Sequence, residues 1–155
     1  MSTRTKLVIA AIAALSLVCA AVAVAATPKE GTYRGKTSQG RNLRVKVNSN
    51  HNIPGEGFRI NWHAPCTVQT DHRWGPERTE NSGKIDVDDD GSFKLNGSYD
   101  SEVGDYVGHI KIRNSGRFNS RTTASGEFKV TVRVTKDGDE VDTCRKTVKW
   151  SVKKV

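Results

Sequence analysis

The sequence predicts an all-β protein, and two features of the chain after its N-terminal segment carry this prediction. Apolar and polar residues alternate in several short runs, which is the pattern of strands that bury one face. Good helix formers are scarce, because residues 27–155 contain two Leu, two Ala and no Met, whereas Val, Ile and Thr are abundant. We therefore expect a single antiparallel domain of about eight strands and no long helix.

Alternating runs mark the expected strands in chain order. Gly31–Gly35 is expected to open the sheet. Four longer runs predict the principal strands, namely Leu43–Val47, Phe58–Ala64, Phe128–Val134 and Val148–Val152. Three shorter runs with the same alternation predict further strands, at Ile85–Val87, Phe93–Leu95 and Ile110–Ile112.

Segments rich in Gly, Asp and Asn separate these runs at the spacing of β-hairpins. The expected turns are Asp88–Gly91, Asn114–Gly116 and Asp137-Gly138. The stretch Gln69–Ser82 has no clear period and is expected to be the longest loop. Strand spacing leaves two architectures open, a two-sheet β-sandwich and a small β-barrel.

Residues 1–26 have the features of a cleavable secretory signal peptide. Arg4 and Lys6 form a positive leader, residues 7–24 carry no charge, and Ala23-Val24-Ala25 offers a site for signal peptidase. The alternative is a retained membrane anchor, since about 18 apolar residues can just span a bilayer. No basic flank follows the stretch, so we predict a signal peptide at 1–26 and one secreted β domain at 27–155. Such a domain would be extracellular, periplasmic or held in the cell envelope.

Removal of the signal leaves 129 residues, enough for one domain. The net charge falls from +8 to +6 because Arg4 and Lys6 are lost. Leu, Ile, Val and Phe make up 24 of the 129 residues, which borders on the composition of disordered chains. The alternating runs decide in favour of a folded domain.

The cysteines predict one disulfide bond. Cys19 belongs to the signal, which leaves Cys66 and Cys144 as a pair in an exported chain. Both cysteines occupy inward-facing positions of their strands. A bridge between two residues this far apart in the sequence stabilises a fold by about 4 kcal/mol in the loop-entropy model. The alternative, a reactive thiol, lacks a Cys-x-x-Cys spacing.

An acidic segment gives a weak calcium candidate, Asp86, Asp88 and Asp90, followed by a turn glycine. Position twelve of that pattern is Gly97 where a bidentate Glu belongs, so an acidic hairpin turn is the favoured interpretation. No nucleophile elbow, phosphate-binding loop or complete zinc spacing is present. We therefore predict no enzyme, no catalytic residue, no metal centre and no cofactor.

Charge gives the main functional indication, because basic residues occupy outward strand positions and acidic residues gather in turns. The expected positive face includes Arg44, Lys46, Lys129, Arg133 and Lys149, with Trp74 in a Gly-Pro loop as a candidate contact residue. Such a face attracts anionic polymers or membranes by long-range steering. The alternative is a solvated sheet whose lysines prevent edge aggregation.

The chain resembles a group of small secreted bacterial β-rich proteins of similar length. The resemblance rests on Gly31-Thr-Tyr33-Arg-Gly35-Lys-Thr37-Ser38-Gln39-Gly40 and on Cys144-Arg-Lys-Thr-Val148-Lys-Trp150, which fit GxYxGxTSQG and a late Cys-x3-Val-x-Trp. It implies a disulfide-linked, exported β domain and brings no activity and no site residues. At Arg145–Thr147 the chain departs from the related pattern, where a glycine is expected.

Two functional classes follow. The first is a non-enzymatic extracellular or envelope module that uses its basic face to hold an anionic polymer, an envelope surface or another protein. Nucleic acid is not expected, because no aromatic-basic interleaving is present, and a membrane is a partner only if the N-terminal segment is retained. The second is a small-molecule carrier of the lipocalin type, faintly echoed by Gly31-Thr-Tyr33. Its interior would have to accommodate Phe58, Trp62, Phe128 and Trp150, which are bulky enough to fill a small barrel.

Overall fold

The computed structural model describes residues 26–68 and 72–155, and these ranges form one antiparallel sheet of eight strands without a helix. The strands are β1 (Gly31–Thr37), β2 (Asn42–Val47), β3 (Phe58–Pro65), β4 (Arg73–Glu80), β5 (Ser92–Val103), β6 (Tyr106–Ser120), β7 (Thr123–Lys136) and β8 (Asp139–Lys154). The all-β class, the single domain and the number of strands are confirmed. The predicted signal peptide falls on residues outside the described ranges, apart from Ala26. A search of the described residues for a helix long and apolar enough to cross a membrane finds none.

The strand order across the sheet is β4-β3-β2-β1-β8-β7-β6-β5. Two four-stranded meanders are therefore joined by a single pairing, in which Tyr33 to Thr37 of β1 run antiparallel to Trp150 to Lys154 of β8. The sheet curls into a half-barrel, so the two-sheet sandwich, one of the two architectures that the sequence leaves open, is not formed. The barrel is also not closed, because β4 and β5 are edge strands and share no backbone ladder within the described residues.

The concave side of the half-barrel holds the hydrophobic core. Its centre is a set of contacting aromatic rings, with ring centroids 5.9 Å apart for Phe58 and Trp150 and 6.0 Å apart for Phe93 and Trp150. Trp62 packs on Phe128 at 6.2 Å. These large rings supply the apolar area that a chain with two Leu cannot obtain from aliphatic side chains.

Side chains bridge the seam between edge strands β4 and β5. The indole Nε1 of Trp62 donates a hydrogen bond of 2.9 Å to Thr79 Oγ1, which lies 2.8 Å from the hydroxyl of Tyr99. Further along, Ser101 Oγ donates to Glu77 Oε1 at 2.6 Å. The curled sheet is thus held together by hydroxyl and carboxylate contacts at the place where a closed barrel would have a ladder.

Replacing Tyr99 by Phe tests this seam through its pH dependence. Burial raises the pKa of the Tyr99 phenol, and the Glu77 carboxylate adds to the rise. The folded protein therefore keeps this proton to a higher pH than the unfolded chain does. The stabilisation that the Tyr99 hydroxyl contributes is complete below pH ~10 and is lost as the pH rises further. We expect Tyr99→Phe to lower the free energy of unfolding by about 1 kcal/mol at pH 7. Urea titrations should show that the difference in free energy of unfolding between wild type and Tyr99→Phe becomes smaller above pH ~10. A difference that stays constant with pH would contradict the assignment.

The predicted turn at Asn114–Gly116 is wrong, because these residues lie in the middle of β6 and pair with both neighbouring strands. Asn114 is buried and its Oδ1 accepts a 2.8 Å hydrogen bond from Trp150 Nε1. A Cβ at Gly116 would overlap the ring of Phe93. The Asn and Gly therefore serve side-chain packing here and do not form a turn.

The predicted loop Gln69–Ser82 is also wrong, because β4 occupies most of it. Only Trp74 and Thr79 of this strand are buried, so the residues show no alternation. Pro76 is tolerated because β4 is an edge strand. The predicted strand at Ile85–Val87 is reduced to an isolated bridge between Ile53 and Ile85.

The predicted disulfide between Cys66 and Cys144 is confirmed. It fastens the end of β3 to β8, although β2 and β1 lie between these strands in the sheet. Asp142 is a buried residue of β8, two positions before Cys144. Its Oδ1 accepts hydrogen bonds from the amides of Thr67 and Val68 at 3.1 and 2.9 Å. The disulfide is compatible with an extracellular or periplasmic location.

Candidate functional site

Four cationic residues stand directly opposite one another on four consecutive strands of the sheet. Lys153 of β8 pairs with Arg34 of β1, Arg34 with Arg44 of β2, and Arg44 with Arg59 of β3. We call these four residues the arginine row. The row crosses the strands at right angles, so its members are spaced by the distance between strands, about 4.8 Å.

The row lies on the convex side of the sheet because its members alternate with core residues. Tyr33, Val45 and Phe58 precede or follow them in sequence and point into the core. The three arginines line a shallow cavity of about 360 Å³ together with Asn42 and Asn61. The cavity therefore offers guanidinium and amide groups side by side.

The charges of the row are only partly compensated. Arg59 forms an ion pair of 2.5 Å with Glu80, and Arg44 Nη2 donates to the backbone oxygen of Glu56 at 3.0 Å. Among the described residues, Arg34 and Lys153 have no ion-pair partner, and the buried Nε of Arg44 has no acceptor. Like charges directly opposite one another on neighbouring strands destabilise a sheet.

The electrostatic environment of His63, on β3 beyond Arg59 and Asn61, is also cationic. Arg41 Nε donates a hydrogen bond of 3.0 Å to its Nδ1. Burial lowers the pKa of His63, and the charges of Arg41, Arg73 and Lys146 lower it further. His63 is therefore an acceptor for Arg41 and adds no positive charge of its own.

The residues that the sequence assigns to a binding face are distributed around the curled sheet. Arg44 belongs to the arginine row, and Lys46 is exposed two residues further along β2. Lys129 of β7 forms an ion pair of 3.0 Å with Glu127. Lys149 of β8 stands opposite that same glutamate.

Two further predicted residues lie away from the row. Arg133 of β7 stands opposite His109, whose Nδ1 is 2.8 Å from Asp100 Oδ1. Trp74 is only 6% exposed and lies in β4, so it is not the surface contact in a loop that the sequence suggests. Its ring packs against the position where Gly108 leaves room.

Sequence reasoning missed Arg34 and Arg59 as members of the site. Both have outward parity, since Arg34 follows the buried Tyr33 and Arg59 lies between buried Phe58 and Ile60. Parity alone identifies them as surface residues. Only the register between strands, which one sequence does not contain, places them in line with Arg44.

The calcium candidate residues are engaged separately. Asp86 pairs with Lys84 at 2.6 Å, and Asp88 accepts a hydrogen bond from Ser92 Oγ at 3.1 Å. Hydrogen bonds from Ser92 lower the pKa of Asp90, and the nearby charge of Arg117 adds to this effect. In the described part of the chain, no group of three or more His, Cys, Asp or Glu residues is arranged to hold a metal ion.

The interior expected of a carrier is occupied by side chains at its centre. Phe58, Trp62 and Phe128 are fully buried, and Trp150 is nearly so. Comparison with protein-family models, with curated proteins and with solved structures finds no match for this chain.

Proposed function

We propose that this protein is an exported, non-enzymatic binding module that holds an acidic polysaccharide along the arginine row. The observation that carries the proposal is the alignment of four cations in one register row with a single ion-paired carboxylate, that of Glu80. Protein folding alone does not favour such a row, because each like-charge neighbour costs stability. When an anion is bound, the charges of the row attract it, so the row contributes favourably to the free energy of the complex.

Protection against aggregation is a weaker explanation for these charges. Lysines that guard against edge-to-edge pairing act on edge strands. Arg34 and Arg44 lie on β1 and β2, and Lys153 lies on β8, all in the middle of the sheet. Cations at these central positions face solvent where no edge needs protection.

The geometry favours a polymeric chain with repeated carboxylates. A linear row with a spacing of about 4.8 Å matches a ligand that presents anions in series. Guanidinium groups bind carboxylates in a bidentate manner, and the amides of Asn42 and Asn61 can bond sugar hydroxyls. Residues that insert into a bilayer are large and apolar, and none of the residues that line this cavity is both apolar and exposed.

The test is binding of the full mature chain to immobilised alginate, a polysaccharide with carboxylates only, as a function of salt. We expect Arg34→Gln/Arg44→Gln to weaken binding by roughly a hundredfold or more, since two charge-assisted hydrogen bonds are lost and each contributes about 1.5–3 kcal/mol. The salt dependence of binding should also become less steep, because fewer counterions are released.

The matched control is Lys129→Gln/Arg133→Gln, which removes the same charge from β7. If this variant weakens binding as much as Arg34→Gln/Arg44→Gln, net charge alone drives retention and the proposal is wrong. Wild-type binding to anionic lipid vesicles with no binding to alginate would also overturn it. Circular dichroism of all variants excludes loss of fold as the cause.

A further inference from the structure

The end of the half-barrel next to the disulfide contains a second cavity, distinct from the arginine row. It has a volume of about 600 Å³ and lies between the start of β4, the β5–β6 turn and the β7–β8 hairpin. Cys66, Trp74, Val103, Tyr106, Val134 and Val141 contribute to its lining. The size is that of a small-molecule site, and the mouth of a barrel is a common position for one.

Exposed apolar side chains are concentrated at this cavity. Val103 is 54% exposed, Val141 is 41% exposed and Tyr106 is 38% exposed, and all three line it. Elsewhere in the described ranges the only large apolar side chains with comparable exposure are Val68 and Val155. A contiguous exposed apolar surface in a chain so poor in apolar residues indicates a site of interaction.

The wall of the cavity also contains a polar group without a partner. The Nε1 of Trp74 is buried and has no acceptor among the described residues. Buried indole N–H groups normally find an acceptor. No accessible surface reaches this nitrogen, so the indole ring must shift before a ligand oxygen can supply the missing acceptor.

Two cations and two carboxylates line the cavity, and they differ in whether they already have partners. Arg73 and Lys136 line it and form no ion pair within the described residues, and the ammonium of Lys136 lies 5.3 Å from the ring centroid of Tyr106. The two carboxylates are those of Asp105 and of Asp142, and Asp142 Oδ1 already accepts hydrogen bonds from two backbone amides. The two cations are therefore available to a ligand carboxylate, whereas the carboxylate of Asp142 is directed at the backbone.

We propose that this cavity binds a small amphipathic carboxylate, with its apolar body on the valines and Tyr106 and its acid group near Lys136 and Arg73. The volume of about 600 Å³ suits a medium-chain fatty acid or an aromatic acid. The site is independent of the arginine row, so either proposal can fail without the other.

Calorimetric titration of the full mature chain with decanoate tests the proposal. We expect saturable binding with one site, and at least tenfold weaker binding for Val103→Glu/Val141→Glu, which places carboxylates where the ligand lies. Both valines are exposed, so this variant should fold. The matched control is Thr122→Glu/Val155→Glu, which adds the same charge at exposed residues at the opposite end of the half-barrel and should bind as wild type.

Three further measurements assign the parts of the ligand. Lys136→Gln should weaken binding of decanoate and leave binding of decanol unchanged, and Trp74→Phe should weaken both. Arg34→Gln/Arg44→Gln should bind decanoate as wild type does. The proposal is overturned if decanoate does not bind at millimolar concentration, if Thr122→Glu/Val155→Glu loses binding to the same extent as Val103→Glu/Val141→Glu, or if decanol binds as tightly as decanoate.

Discussion

The variant Cys66→Ala/Cys144→Ala is expected to lose about 4 kcal/mol of folding free energy, because the bridge closes a loop with a sequence separation of 78 residues. Small domains have total stabilities of roughly 5–15 kcal/mol, so this is a large fraction. For a domain of this length the thermal midpoint should fall by roughly 10–20 °C. Thermal unfolding followed by circular dichroism measures the shift.

A reductant supplies the control for this prediction. It should lower the midpoint of the wild type to that of Cys66→Ala/Cys144→Ala and leave the variant unchanged. The bonds from Thr67 to Thr143 and Asp142 persist in both proteins and hold the end of β3 on β8. If the variant unfolds within about 1 kcal/mol of the wild type, these bonds alone fasten the two strands.

The variant Gly126→Ala is expected to lose about 3 kcal/mol, at the upper end of the cost of over-packing. A Cβ at this position would overlap the backbone oxygen of Ser115 and the ring of Trp150, and would lie 2.8 Å from the Cα of Gly116. Two of these three obstacles are backbone atoms of β6, so a rotamer change cannot relieve the overlap. Strand β6 would have to move away from β7.

Gly97→Ala is the matched control, because it makes the same change in edge strand β5. A Cβ there meets only the side chain of Ile112, at an ordinary contact distance of 3.8 Å. We expect its stability to lie within about 0.5 kcal/mol of wild type. Urea unfolding of the two variants decides the matter, and equal stabilities would show that β6 and β7 separate without cost.

Alternation of apolar and polar residues predicts the strands that bury every second side chain. It does not predict strands whose buried residues are spaced differently. Alternation predicts Val45, Val130 and Val148 correctly because their neighbours in sequence are at least partly exposed. Edge strand β4 was missed because it buries only Trp74 and Thr79, which are five positions apart. A period of two is therefore absent from a strand that pairs on one side and packs at its two ends.

Turn residues mislead where glycine makes room for a ring. Gly116 lies under Phe93, and Asn114, two residues earlier, accepts the hydrogen bond of the Trp150 indole. Asn and Gly occur both in hairpin turns and at such packing positions, so a single sequence does not distinguish the two. Whether the segment forms a turn or a packing position depends on whether an aromatic side chain of another strand packs on the glycine.

The candidate site was predicted in part for a similar reason. Outward parity identifies Arg44 as a surface cation, and the sequence indicates no more. Its alignment with Arg34, Arg59 and Lys153 depends on two hairpin registers and on the pairing of β1 with β8. The cavity at the disulfide end brings together residues from five strands and was not foreseen.

The pairing of β1 with β8 also has a consequence for how the molecule folds. Each meander can form from contacts between strands that are neighbours in the sequence. The pairing of β1 with β8 joins strands that lie more than 100 residues apart in the chain, so it cannot form until β8 is present. Non-local pairing slows folding because the loop must close before the contact is gained. A growing chain can therefore build β1–β4 and β5–β7 as separate hairpin arrays. The arginine row is completed only when its last member, Lys153, is in place.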